Sequence, residues 1–200
     1  MRHHPRQLIF LISASLFLVL FNFQKLQGQS FRFRTFDSNM GLPQNFVYAL
    51  EQDKQGYIWM GTGEGLVRYN GLEFQSFTQS DSLAGIFTTT LHLADNGALW
   101  IGHNKGDLSV FQNGNFIPIR IKETQSPVKS IKTANSEYIW AIAQNEGLLR
   151  ISPQNHHYKI LNHKNLRRKL FYSLVTTPDF FLLGTSEGLY KAMLTPGKDS

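Results

Sequence analysis

A short segment recurs four times along this chain at nearly constant spacing. It reads Tyr57-Ile58-Trp59-Met60-Gly61-Thr62, then Ala98-Leu99-Trp100-Ile101-Gly102-His103, then Tyr138-Ile139-Trp140-Ala141-Ile142-Ala143. A fourth copy without tryptophan reads Phe180-Phe181-Leu182-Leu183-Gly184-Thr185. Aligning Trp59, Trp100, Trp140 and Leu182 gives steps of 41, 40 and 42 residues. A period near 40 built from short alternating strands is the signature of a propeller blade, four antiparallel strands around a common axis. The expected fold class is therefore all-β: a β-propeller of about four blades.

Each unit follows one plan. An alternating apolar strand comes first, at Val47 to Glu51, Thr88 to Leu93, Val128 to Thr133 and Tyr172 to Thr176. A polar turn follows. Asp53-Lys54-Gln55-Gly56 and Asp95-Asn96-Gly97 suit it, because aspartate caps a turn and glycine accepts positive φ. The tryptophan strand is next, then a turn ending at Gly65, Gly106, Gly147 or Gly188, and a third strand. An outer strand closes the first three units at Glu73 to Phe77, Asn115 to Ile119 and Tyr158 to Leu161. The blades are placed at about 44–78, 86–120, 127–162 and 170–192. Glycine inside the second strand, at Gly61, Gly102 and Gly184, marks a close backbone approach. Ile142 stands there in the third unit, so that blade is expected to pack differently. The tryptophans are expected to fill the space between blades, where a large ring buries most area; a carbohydrate-stacking role is the sharper alternative.

The termini qualify this plan. Arg2 and Arg6 precede an apolar run from Leu8 to Phe21, and small or polar residues follow to Gly28, the pattern of a secretory signal peptide over 1–28. The run is short for a membrane-spanning helix. Leu26-Gln27-Gly28 departs from the small-x-small rule, so cleavage before Gln29 competes with an uncleaved anchor. The repeats occupy 29–200. The chain has no cysteine, which excludes a lipoprotein anchor, disulfides and cysteine-ligated zinc. The leader's Arg2, Arg6 and Lys25 account for half of the net charge of +6, leaving little to support a nucleic-acid partner. Phe31-Arg32-Phe33-Arg34-Thr35-Phe36 alternates like an outer strand that has lost its blade, whereas the fourth unit lacks one. Either the chain closes as a four-bladed ring, completed by 31–36, or it opens a longer propeller whose other blades lie elsewhere; the second is favoured, four blades being the lower end of the range.

The stretch Gly41-Leu42-Pro43-Gln44-Asn45-Phe46-Val47 through Asp53, Gly56, Trp59-Met60-Gly61-Thr62 and Glu64-Gly65-Leu66 closely resembles the two-component regulator propeller repeat. The second unit keeps Asp95, Gly97, Trp100, Gly102 and Gly106. The third keeps Trp140, Glu146, Gly147 and Leu148, and the fourth Gly184, Thr185, Glu187, Gly188 and Leu189. The resemblance implies the N-terminal periplasmic sensor of a membrane-bound, often hybrid, histidine kinase of Bacteroidetes-type bacteria. Such sensors often recognise fragments of polysaccharides. It implies a kinase and further blades as partners, an oligosaccharide as ligand, and no catalysis in this chain, which carries no kinase motif.

No residue is singled out as catalytic, cofactor-binding or metal-binding, no cofactor is expected, and the ligand-binding residues are unknown from sequence. Gly61-Thr62-Gly63-Glu64-Gly65 lacks the lysine of a phosphate loop and sits between strands. Glu64, Glu146 and Glu187, with Lys105 in the second unit, recur once per blade and are expected to lie apart on a shared rim, which disfavours paired-carboxylate chemistry. His92, His103, His156, His157 and His163 lack ligand spacing, and Ser173 and Ser186 lack a nucleophile elbow. His163-Lys164-Asn165-Leu166-Arg167-Arg168-Lys169 is the one basic cluster, read as a solvated inter-blade loop, with an acidic docking partner or anionic sugar as the alternative. A secreted interaction scaffold, or a propeller hydrolase or lactonase, are the rival functions; the latter needs acids and a metal or base converging on the channel.

Overall fold

Alternating apolar residues over five or six positions, broken by Asp/Asn/Gly turns, form strands because one face of each must be buried. The computed structural model describes residues 31–134, 137–161, 166 and 168–193, so the leader lies outside the described residues. Among the described residues fifteen strands form four antiparallel sheets. The first holds β1 (Val47–Gln52), β2 (Ile58–Thr62), β3 (Gly65–Tyr69) and β4 (Phe74–Phe77). The second holds β5 (Thr88–Leu93), β6 (Leu99–His103), β7 (Leu108–Gln112) and β8 (Asn115–Ile119). The third holds β9 (Val128–Ala134), β10 (Tyr138–Ala143), β11 (Gly147–Ile151) and β12 (Tyr158–Leu161). The fourth holds β13 (Phe171–Thr176), β14 (Phe180–Thr185) and β15 (Gly188–Met193), with no fourth strand among the described residues. In each sheet the strands pair in sequence order, the arrangement of a propeller blade. Among the described residues no helix is long and apolar enough to cross a membrane.

Two units divide the chain at Thr35 and Phe36. In the first, residues 31–35 are exposed and hold no ladder. The outer strand expected over 31–36 is therefore not formed, since a strand exists only through hydrogen bonds to a neighbour. In the second unit, the first strands of the four blades pack side by side in sequence, β1 on β5, β5 on β9 and β9 on β13.

The core lies between blades. Trp59 joins Leu91, Leu99 and Ile101 of the second blade. Trp100 joins Ile131, Ile139 and Ala141 of the third. Trp140 joins Phe171, Leu174, Phe181 and Leu183 of the fourth. Each ring thus lies under the following blade, 5% exposed or less, as expected of an inter-blade filler. The strand glycines face the same joints. A methyl on Gly61 would stand 2.6 Å from Thr88 of the next blade, and one on Gly102 would meet Val128 at 2.8 Å. In the third blade Ile142 fills this place, and Phe171 of the fourth blade is buried in the same cluster.

The faces at the two ends differ. Phe46, Val47 and Leu50 of the first blade are exposed, and so are Val175, Leu189 and Met193 of the fourth. These end faces do not bury one another.

Candidate functional site

The tightest local device is the turn between the first two strands of the first blade. The Asp53 carboxylate accepts hydrogen bonds from the backbone N–H of Gln55 at 3.0 Å and of Tyr57 at 2.9 Å. Its second oxygen accepts from Trp59 Nε1 at 2.8 Å. Gly56 closes the turn at φ 90°. In the first blade one aspartate therefore fixes both the turn and the ring that fills the joint; in the second blade the Trp100 indole N–H is buried and meets no acceptor among the described residues.

At the opposite end of the strands a second turn repeats. Thr62 Oγ1 donates to the Gly65 carbonyl at 3.0 Å and accepts from the Glu64 N–H. Thr185 does the same with Gly188 and Glu187 in the fourth blade. Inter-blade connections clasp these turns. Gln44 accepts from the Gly63 N–H at 2.7 Å. Glu146 accepts from the Gln125 N–H and from the Ser126 hydroxyl, which in turn accepts from the Asn145 N–H. Lys169 pairs with Glu187, which raises the ammonium pKa, and its Nζ stands 5.1 Å from the Tyr190 ring.

In the second blade His103 occupies the threonine position. It is fully buried, and its Nε2 lies 2.8 Å from Ser109 Oγ, which accepts from the Ala84 N–H. Burial holds its pKa down to about 4. Arg120 pushes the same way, while the Phe87 carbonyl and Asp107 oppose. Asp107 pairs with Arg120 at 2.7 Å.

The inner strands carry two further sets of side chains that sequence reading did not bring together. The first bridges blades at one end. Glu51 Oε2 accepts from the Leu93 N–H at 3.4 Å, His92 Nε2 meets Thr133 Oγ1 at 2.7 Å, and Thr176 donates to the Thr133 carbonyl at 2.9 Å. Burial, then Lys132, lowers the His92 pKa to about 4, against the pull of Asp95. The second set is a β-bulge in every inner strand. Val47 pairs with Thr62 and Ala49 with Gly61, leaving Tyr48 out of the ladder. Thr89, Lys129 and Tyr172 are left out in the same way.

Against this geometry, residues 41–64 match the family model described as Two component regulator propeller. That stretch is a two-component regulator propeller repeat. The repeat begins at the left-handed Gly41 and ends in the Thr62–Gly65 turn just described. A protein named histidine kinase P4 from Formosa agariphila is 38% identical over 64 residues, which is 30% of this chain and 5% of that protein. The extracellular domain of BT3049, described as a hybrid two component system of B. thetaiotaomicron, superposes with a TM-score of 0.68 at 21% identity, over 78% of this chain and 23% of that one. The extracellular domain of BT4673, described as a hybrid two component system of the same organism, superposes with a TM-score of 0.71 at 20% identity, over 84% of this chain and 23% of that one. The chain thus has a propeller fold and spans about a quarter of those solved chains.

The residues flagged by sequence take places along all four blades. Gly61 to Gly65 form strand end and turn. Glu146 and Glu187 each serve their own clasp, so the blades keep these carboxylates on separate partners. His156 has positive φ and lies edge-on to Trp100 at 6.1 Å, in a turn with His157. Ser186 Oγ accepts from the Leu170 N–H. Of the basic cluster, 163–165 and 167 lie outside the described residues. Among the described residues no group of three metal-ligating side chains forms.

Proposed function

We propose that this chain is the opening part of the ligand-recognising propeller of a two-component receptor. It is exported to the periplasm, detects an oligosaccharide released from an extracellular polysaccharide, and passes the signal to a membrane histidine kinase. It does no chemistry itself.

One observation carries the reading. Ahead of β1 the chain is built as a connection between blades. Asp37 caps a short 3-10 turn over Ser38–Met40 that ends on left-handed Gly41, and Leu42 is buried. Forty-one residues later Thr78 caps Gln79–Asp81, left-handed Ser82 follows, and Leu83 is buried. The second of these joins the first blade to the second, and Phe33 to Phe36 precede the first as Phe74 to Phe77 precede the second. The exposure of Val47 and Leu50 on one side and of Leu189 on the other supports further blades packing there. The coverage of about a quarter of two solved extracellular domains of two component systems supports the same reading.

Immunoblotting of fractionated native cells with an antibody against this chain tests it. The expected product is membrane-associated and several times larger than 22.9 kDa. A free periplasmic species of that mass would contradict the receptor reading.

A further inference from the structure

The four bulges separate scaffold from surface. A β-bulge leaves one residue unpaired, re-aims its side chain and tends to sit beside functional sites. Here it recurs at equivalent positions, 48, 89, 129 and 172, so the geometry belongs to the repeat. The side chains do not repeat: they are tyrosine, threonine, lysine and tyrosine. Their neighbours behave in the opposite way. Thr88, Val128 and Phe171, one residue earlier, are all buried against the preceding blade.

Three of the four bulged residues are exposed. Tyr48 is 52% exposed and Tyr172 48%, and Lys129 lies open on β9. No hydrogen bond of their side chains occurs among the described residues. Thr89 is different, because its hydroxyl reaches the Val128 carbonyl at 2.7 Å and so ties the bulge of β5 to that of β9. The Tyr48 ring leans on Phe87 with centroids 4.7 Å apart. Lys132, also exposed, lies three residues beyond Lys129 on the same strand. Tyr48 on β1 and Tyr172 on β13 thus stand on the outer two of four inner strands packed side by side, with Lys129 on β9 between them.

We propose that Tyr48, Lys129 and Tyr172 form a binding surface for an anionic oligosaccharide. The tyrosine rings stack on sugar faces and present hydroxyls to them, while Lys129, backed by Lys132, pairs with the acidic group. Thr89 positions the lysine-bearing bulge. This rests on the oligosaccharide-sensor reading above and adds a site and a charge to it.

Calorimetric titration of the full chain tests the proposal with three probes: oligogalacturonides for a carboxylate, chondroitin sulfate oligosaccharides for a sulfate, and neutral galactan oligosaccharides. The expected result is saturable binding of one anionic probe and weaker binding of the neutral one. Tyr48→Ala and Tyr172→Ala should each weaken it about tenfold. Lys129→Ala should weaken the anionic probe about fivefold and leave the neutral one unchanged, with Lys129→Arg restoring affinity. The thermal midpoints of these variants should match the parent, since the side chains are exposed; a variant with a lowered midpoint is replaced by Tyr172→Phe or Lys129→Gln. Undiminished binding in all variants, or binding of the neutral probe alone, overturns this site and leaves the sensor reading intact. No binding by any probe overturns the site and counts against the sensor reading as well.

Discussion

At the residue scale, the fold depends on a few polar side chains that hold turns. Asp53 is the clearest, because one carboxylate serves two backbone donors and the Trp59 indole. Asp53→Ala removes a turn cap and leaves a buried N–H without a partner, at a cost of about 2 kcal/mol. Denaturant titration should show a lowered midpoint at unchanged slope. His103 supplies a pH dependence. Its folded pKa of about 4 lies below the ordinary 6.5, so the unfolded chain binds the proton first as pH falls. His92, also near 4, acts in the same sense. Stability is therefore full above about pH 6.5 and declines toward pH 4, with Asp107 and Arg120 facing His103 and Lys132 and Asp95 facing His92. Thermal midpoints measured from pH 7 to 4.5 should fall, and His103→Thr, which installs the residue of the first and fourth blades, should flatten the fall. A flat profile in the parent would contradict the buried neutral imidazoles.

At the element scale, blades meet through a close approach that only glycine permits in the first two joints. Gly102→Ala places a methyl 2.6 Å from Thr90 and 2.8 Å from Val128. The resulting overpacking should cost about 1–3 kcal/mol. Gly114 is the control: it has φ 80° but open space around it, so alanine there should cost only about 1 kcal/mol for its backbone conformation. Equal losses at the two sites would contradict inter-blade crowding. The strands, turns and tryptophan joints were legible in sequence because each rests on residue types that recur: Trp for the joint, Gly for the approach, Asp and Gly for the turn. The bulges were not, because a bulge is a property of pairing register, and Tyr48, Thr89, Lys129 and Tyr172 share no chemistry. The bridge from Glu51 through His92 and Thr133 to Thr176 was hidden for the same reason. Its members recur near a 41-residue step but differ in type, and only the packing of adjacent inner strands brings them together. The strand read at 31–36 shows the converse limit, since alternation supplies a strand-forming sequence but not a partner edge.

At the scale of the whole molecule, joints of one kind between successive blades, with Ile142 in place of the glycine at the third, leave an exposed apolar face at each end. Val47 and Leu50 on one side and Leu189 on the other are exposed at positions that such a joint buries elsewhere in the chain, as at Thr88, Leu91, Leu66 and Leu148. These faces agree with the proposed reading of the chain as a propeller portion that recognises a ligand within a larger two-component receptor. The most direct test is a thermal-shift measurement of the full chain against a panel of depolymerised polysaccharides, neutral and acidic. The account predicts a saturable rise in the unfolding midpoint with at least one oligosaccharide and none with its constituent monosaccharide. An unchanged midpoint across the panel would contradict it.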